Sequence, residues 1–261
     1  MLTLLINYLV IVAIFFIAQR KLIYLPNKLP QQEHQALVDA AKLQYWPSVG
    51  DYRALIMQQT QQQYRGTVLV FHGNAGSAIS RLHYFSALEA IGYRVIIAEY
   101  PGYGPRSGSQ SEKLMIEDAS KTVQQVYQQF GEPLFLSGES LGAGIVSGVI
   151  AKQAVSVKGL ILITPFDSLP NVAHSHYWWI MAKWLTLDQF NNIDNLKQYT
   201  GNIAVVMAEQ DRTIPNSHTL KLYEEISTQK RLWRLQNSDH NNWPASTTQQ
   251  WWSEVMEFIE Q

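Results

Sequence analysis

From Thr67 onward, short apolar runs rich in β-branched residues alternate with longer amphipathic ones, and no other feature constrains the fold as strongly. Thr67–Phe71 (TVLVF), Arg94–Ala98 (RVIIA), 134–136, Gly159–Ile163 (GLILI), 203–207 (IAVVM) and 231–235 read as strands. They lack an in–out alternation, as strands buried on both faces do. Between and after them, 80–90, 113–130, 142–152, 219–226 and 248–259 read as helices. In 113–130, Leu114, Ile116, Ala119, Val123, Val126 and Tyr127 gather largely on one face. Strand–helix alternation of this kind demands an α/β fold, a mostly parallel sheet with helices on both faces. In such sheets chemistry collects in the loops at the carboxyl ends of the strands.

Composition narrows the classes. With 46% hydrophobic and 16% charged residues, a chain of 261 residues buries a full core and is not disordered. Twenty Lys+Arg against 21 Asp+Glu leave no basic excess for nucleic acid. The absence of cysteine excludes disulfides, thiol catalysis, cysteine zinc sites and S-acylation.

The N-terminus is a separate signal. From Leu2 to Ala18 only Thr3 and Asn7 interrupt an apolar run, which as a helix spans about 26 Å at about 1.5 Å per residue. No basic residue precedes it and no A-x-A site closes it, so residues 1–25 read as a single-pass membrane anchor rather than a cleaved signal peptide. Arg20, Lys21 and Lys28 follow the run, which places the remainder, 26–261, in the cytoplasm by the positive-inside rule. Every predicted strand lies beyond Ala18, so the segment is expected to be detachable. A polar helix is expected over 31–42, and the glutamine-rich 58–63 reads as a solvated hairpin loop.

Two loops carry the chemistry. Gly138-Glu139-Ser140-Leu141-Gly142 sits between a strand and a helix. A serine on so sharp a turn needs glycine on both sides, because flanking side chains would clash; its Oγ then projects above the sheet. The loop after Phe71 reads His72-Gly73-Asn74-Ala75-Gly76. A serine nucleophile generates an oxyanion that needs two preorganised N–H donors. One comes from the residue after the nucleophile, Leu141; Asn74 is the candidate for the other. His72 reads as a structural hydrogen-bonding residue.

The serine needs a base, and the base an orienting acid. With such an elbow, the partners follow in the order serine, acid, histidine. Asp211 follows the fifth strand and His240 the last. Asp167, after the fourth strand, Glu209 and Asp239 are the rival acids. The catalytic set is therefore Ser140, Asp211 and His240, with no metal or organic cofactor expected.

These pieces, together with Arg20-Lys21-Leu22-Ile23-Tyr24-Leu25-Pro26 and Glu99-Tyr100-Pro101-Gly102-Tyr103-Gly104, resemble the α/β-hydrolases, in particular their membrane-anchored α/β-hydrolase-domain (ABHD) branch. The resemblance covers essentially the whole chain. It implies a serine hydrolase of esters or thioesters acting on a small-molecule or lipid-like substrate. Some members remove fatty acyl groups from proteins, but those have a cysteine-rich, lipidated N-terminus that this chain lacks. The region 167–199 interrupts the strand–helix rhythm where this fold carries a cap, and Trp178 and Trp179 in it, with Tyr103, are candidate substrate contacts. A peptidase or amidase on the same triad, and a non-catalytic scaffold, are the alternative readings.

Overall fold

The computed structural model describes residues 1–58 and 63–261. The glutamine-rich loop expected at 58–63 falls largely on 59–62, outside the described residues. The chain opens with helix α1 (Leu2–Ile23), a two-residue strand β1 (Leu25–Pro26) and helix α2 (Gln31–Ala40). Strands β2 (Leu43–Pro47), β3 (Tyr52–Met57) and β4 (Thr67–Phe71) follow, then the short β5 (Ala75–Gly76) and helix α3 (His83–Leu88). Next come β6 (Arg94–Ala98), α4 (Glu112–Phe130), β7 (Leu134–Glu139), α5 (Leu141–Ala151) and β8 (Gly159–Ile163). Helices α6 (Leu169–Tyr177), α7 (Ala182–Leu185) and α8 (Asn192–Leu196) fill the interruption. The chain closes with β9 (Asn202–Ala208), α9 (Asn216–Glu225), β10 (Lys230–Leu235) and α10 (Gln249–Glu260).

The main sheet has the order β10-β9-β8-β7-β4-β6-β3-β2. All pairs are parallel except β2 with β3 and β3 with β6. The antiparallel β2 and β3 were not read from the sequence: they are short and carry Gln44 and Arg53 among apolar neighbours. The helix expected at 80–90 is α3 flanked by two 3-10 turns, and it stops at Gly92, whose φ of +92° ends the turn.

Alternate residues of each central strand feed opposite cores. Leu69, Phe71, Leu136, Leu160 and Leu162 pack with α4 and α5; Val68, Val70, Phe135, Ile161 and Ile163 pack with α3 and α10. Each such fully buried aliphatic side chain stabilises the fold by roughly 1.5–3 kcal/mol. Helix α4 begins where Ser111 Oγ accepts from the Leu114 N–H, and α10 where Thr248 accepts from Trp251.

After β4 the chain moves to one side of the sheet to form β6, then to the other to form β7. The crevice between the carboxyl ends of β4 and β7 is therefore the topological switch point, where such sheets bind ligands. Both loops singled out in the sequence end there.

The excursion over 168–191 is closed at its base, where the Asn192 N–H donates to the Asp167 carbonyl (3.0 Å) and the Leu169 N–H to Gln189 (3.0 Å). Helix α1 is apolar and long enough to cross a membrane, with a mean hydropathy of 2.3. One face of it packs on this excursion. Val12 is buried with Ile180 and Ala182. Tyr8 Oη donates to the Trp179 carbonyl (2.9 Å), and Gln19 bonds the Leu185 carbonyl and the Leu187 N–H.

Candidate active site

At the end of β7, Ser140 takes φ +52° and ψ −114°, and α5 starts at the next residue. A non-glycine residue held there stores strain of order 1–3 kcal/mol. The surroundings hold it: the Ser140 N–H donates to the Ile163 carbonyl (2.8 Å), and its carbonyl accepts from Ala143 (2.9 Å). The flanking glycines are sterically required. A Cβ on Gly142 would lie 2.0 Å from the Phe71 carbonyl oxygen, and one on Gly138 2.6 Å from Ala143 Cα. Backbone cannot yield to such contacts, so the tight seating of α5 against β4 explains the spacing of the motif.

The loop after β10 brings His240 over this turn. Its Nε2 is 2.9 Å from Ser140 Oγ and its Nδ1 2.7 Å from Asp211 Oδ2. An ionised carboxylate only accepts, which assigns the proton to Nδ1 and leaves Nε2 to accept from the serine hydroxyl. Asp211 is fixed in turn: its Oδ1 accepts the N–H groups of Thr213 (2.9 Å) and Ile214 (2.8 Å). All three side chains are buried.

The rival acid Asp167 serves a different histidine. Its Oδ1 lies 2.8 Å from His218 Nδ1, while Lys221 Nζ (2.9 Å) and Asn171 Nδ2 (2.6 Å) donate to Oδ2. On the far side of that ring, His218 Nε2 is 2.7 Å from Ser175 Oγ. Burial alone would raise the Asp167 pKa. The bonds from His218, Lys221, the Ser168 N–H and Asn171 outweigh it and hold the carboxyl below its usual range. Glu209 accepts from the Asn237 N–H and Asp239 from the N–H groups of Asn241 and Asn242, away from the His240 ring.

Asn74 and Leu141 line the same cavity as Ser140. Leu141 opens α5, where backbone N–H groups have no partner within the helix. The Asn74 carbonyl accepts from the Leu25 N–H (3.0 Å) and Tyr103 Oη (2.8 Å), and its side chain donates to the Ile23 carbonyl (2.8 Å). None of these bonds uses its N–H. His72 is fully buried behind the loop, contacting the Gly73 carbonyl (2.8 Å) and the Glu99 carboxylate (3.2 Å).

The cavity above Ser140 measures about 380 Å³. That is within the range of roughly 300–1,000 Å³ for small-molecule sites. Its walls are apolar, from Phe166, Leu169 and Val172 on one side and Val12, Phe15 and Phe16 of α1 on the other. The expected substrate contacts are elsewhere. Tyr103 is fully buried beneath the Asn74 loop because its hydroxyl serves the Asn74 carbonyl. Trp178 is 68% exposed on the outer surface of the excursion, and Trp179, 42% exposed, meets Phe15 edge-on; neither lines the cavity. The wall contributed by α1 was missed. Val12, Phe15, Phe16, Gln19, Leu22 and Ile23 form one stripe at helical spacing. Only Gln19 marks that stripe, the other polar residues of the helix, Thr3, Asn7, Arg20 and Lys21, lying off it.

The family model described as serine aminopeptidase, S33 matches residues 62–193, about half of the chain. The lysophosphatidylserine lipase ABHD12 of Danio rerio is 28% identical over 194 residues, 67% of this chain and 51% of that protein. An uncharacterized protein of Mycobacterium tuberculosis is 27% identical over 229 residues, 86% of this chain and 81% of its own length. The chain thus spans about half the length of the ABHD12 relative. Among solved structures, a putative thioesterase from Silicibacter superposes with a TM-score of 0.66 at 14% identity, covering 89% of this chain and 92% of its own. The esterase Est1E of Butyrivibrio proteoclasticus with ferulic acid bound gives 0.65 at 15% identity, covering 80% and 97%. At such identities these superpositions show the shared fold.

Proposed function

Since the chain belongs to the serine aminopeptidase S33 family of α/β-hydrolases and is a hydrolase, we propose that it cleaves carboxylic esters or thioesters through an acyl-enzyme on Ser140. The observation that carries this reading is the unbroken hydrogen-bonded chain from Ser140 Oγ through His240 to Asp211 at the floor of an apolar cavity. In the first half-reaction Oγ attacks the acyl carbonyl while His240 Nε2 takes the hydroxyl proton. Asp211 stabilises the imidazolium and keeps the ring oriented. The oxyanion is met by the N–H groups of Leu141 and Asn74; one such donor is worth roughly 10²–10³ in rate. His240 then gives its proton to the departing alcohol or thiol. In the second half, water loses a proton to His240 and attacks the acyl-enzyme, returning the acid and free Ser140.

The family's description names an aminopeptidase, and the alternative of amide hydrolysis is weighed against the cavity. An aminopeptidase must hold an α-ammonium group, which needs a carboxylate or comparable acceptors inside the site. Among the described residues, no Asp or Glu lines the cavity. That favours an acyl chain over a peptide N-terminus. Residues 1–25 act in this reading as a membrane anchor for a hydrolase domain over 26–261, with 167–199 as its cap. A scaffold without activity is disfavoured by the retained triad geometry. The test is labelling with a fluorophosphonate, followed by hydrolysis of an ester panel graded by acyl length. Labelling that persists in Ser140→Ala, or amides cleaved in preference to every ester, rejects the proposal.

A further inference from the structure

Helix α1 is fastened to the site along much of its length. Tyr8 bonds the Trp179 carbonyl near one end, and Arg20 forms a two-point ion pair with Asp188 (3.1 Å each) near the other. Between these contacts α1 follows the cap for about 18 Å at about 1.5 Å per residue. Beyond them, Tyr24 Oη also reaches Asp188 (2.9 Å), Asn74 caps the Ile23 carbonyl (2.8 Å), and β1 pairs in parallel with β5 in the loop that carries Asn74. The stripe from Val12 to Ile23 lines the cavity, with Phe16 and Leu22 still 41% and 55% accessible, while the exposed Leu9, Ile14 and Ile17 on other faces do not line it.

We infer that α1 is the acyl-binding wall of the active site, so that the substrate is an ester with a long unbranched acyl chain that lies along α1 and reaches Ser140 sideways from the apolar layer holding the helix. This rests on the reading of Ser140 as nucleophile. Three observations carry it. Apart from Gln19, the wall is apolar over about 16 Å from Val12 to Ile23, counted at about 1.5 Å per residue, far longer than an acetyl group needs. The polar groups Ser140, Asn74, His176 and Thr213, with Gln19, Tyr177 and Thr186, interrupt an otherwise apolar lining, as a site for both an ester head and an acyl tail requires. Finally, the cap shares the depth of α1. An apolar layer about 30 Å thick around α1 also takes in cap surface within that 18 Å of contact. The cap there exposes Trp178 and Trp184, 68% and 72% accessible, with Met181 and Leu187. Tryptophan at such a position suits the boundary between water and hydrocarbon.

The experiment uses the full chain in detergent micelles. Native protein is first labelled with a short fluorophosphonate; failure to label removes the reading of Ser140 and this inference with it. Given labelling, kcat/KM is measured for acetyl through palmitoyl esters. Val12→Trp fills the cavity from the α1 side and should lower the palmitoyl-to-acetyl ratio by about tenfold or more, as shape discrimination in an apolar pocket allows. Ile17→Trp, 82% exposed on another face, should keep the native ratio. An unchanged ratio in Val12→Trp overturns the inference while leaving Ser140 in place. A second readout is independent of turnover and of the folding of Val12→Trp. The chain has no cysteine, so Phe16→Cys carries a single thiol. Its alkylation should slow when Ser140 bears a hexadecyl phosphonate and stay fast when it bears an ethyl one. Equal rates with the two adducts overturn the inference.

Discussion

Ser140, His240 and Asp211 at the switch point and Ser175, His218 and Asp167 beneath the cap are the same three residue types at nearly the same distances. The first chain spans 2.9 and 2.7 Å, the second 2.7 and 2.8 Å. The side chains do not distinguish them; the backbone around them does. Ser140 precedes α5 and faces unpaired N–H groups, the environment in which a developing oxyanion is stabilised. Ser175 sits in the last turn of α6 and donates back to the Asn171 carbonyl (3.2 Å). The groups left free at that helix end are carbonyls, which oppose negative charge. The acids differ as well. Asp211 has its second oxygen on two backbone N–H groups, whereas Asp167 also answers Lys221 and Asn171. A strained turn and a helix start set the first triplet apart; the second ties α6 to α9.

Deleting the two hydroxyls gives the sharpest contrast. Ser140→Ala should lower ester turnover by about 10⁶ and abolish phosphonate labelling. Ser175→Ala should change neither, and a fall in labelling of Ser175→Ala would merge the two triplets into one function. The acids come next. Asp211→Asn should lower kcat by about 10⁴ through loss of ring orientation, by analogy with serine proteases. Asp167→Asn should leave kcat within a few-fold but lower the melting temperature, by about 1–3 kcal/mol of stability. The reverse ranking in kcat would make Asp167 the catalytic acid.

Acid titration separates stability from activity. The Asp167 carboxyl is held below its ordinary range, so its contribution is full above that range and is lost as pH falls through the lowered native value. His83 acts in the same direction. Burial lowers its pKa to about 4. The unfolded chain therefore binds a proton near pH 6.5 that the native state refuses until about 4, and stability falls over that window. Melting at stepped pH should show this decline, and replacing His83 by Gln should flatten it. Turnover is a separate readout, abolished in His240→Gln. The smallest effect is expected at the support of the oxyanion loop. Tyr103→Phe removes the bond to the Asn74 carbonyl and should cost about 1 kcal/mol of stability and a few-fold in kcat. If kcat stays at the native level while stability drops, Asn74 is positioned without Tyr103.

The elements were legible because their signals are local. TVLVF and GLILI can only be buried strands, and a Gly-x-Ser-x-Gly turn between strand and helix has a steric reason that Gly138 and Gly142 now show directly. Chain order alone singled out Asp211 over Asp167, and the geometry pairs each with its own histidine. The cavity wall was not legible. Trp178 and Trp179 drew attention as large aromatics, yet size does not say which side of a cap a ring faces. Tyr103 stood near the right loop, but its hydroxyl had a backbone partner that no spacing announces. The edge strands β2 and β3 escaped because five or six residues of mixed polarity carry too little pattern. The Val12-to-Ile23 stripe was hidden for the opposite reason, since periodicity cannot show where nearly every position is apolar.

Asp188 is 3% exposed and receives Arg20, the Tyr24 hydroxyl and the Glu112 N–H (3.1 Å). One carboxylate thus joins the N-terminal helix, the segment that follows it, the start of α4 and the cap. Such a knot makes the helix non-interchangeable. Exchanging it for an unrelated apolar helix of equal length would keep hydrophobicity but leave the buried Asp188 carboxylate without its cation, held only by the Tyr24 hydroxyl and the Glu112 N–H. Any change to the outward faces of the helix would therefore have to keep Arg20 and Tyr24 in place.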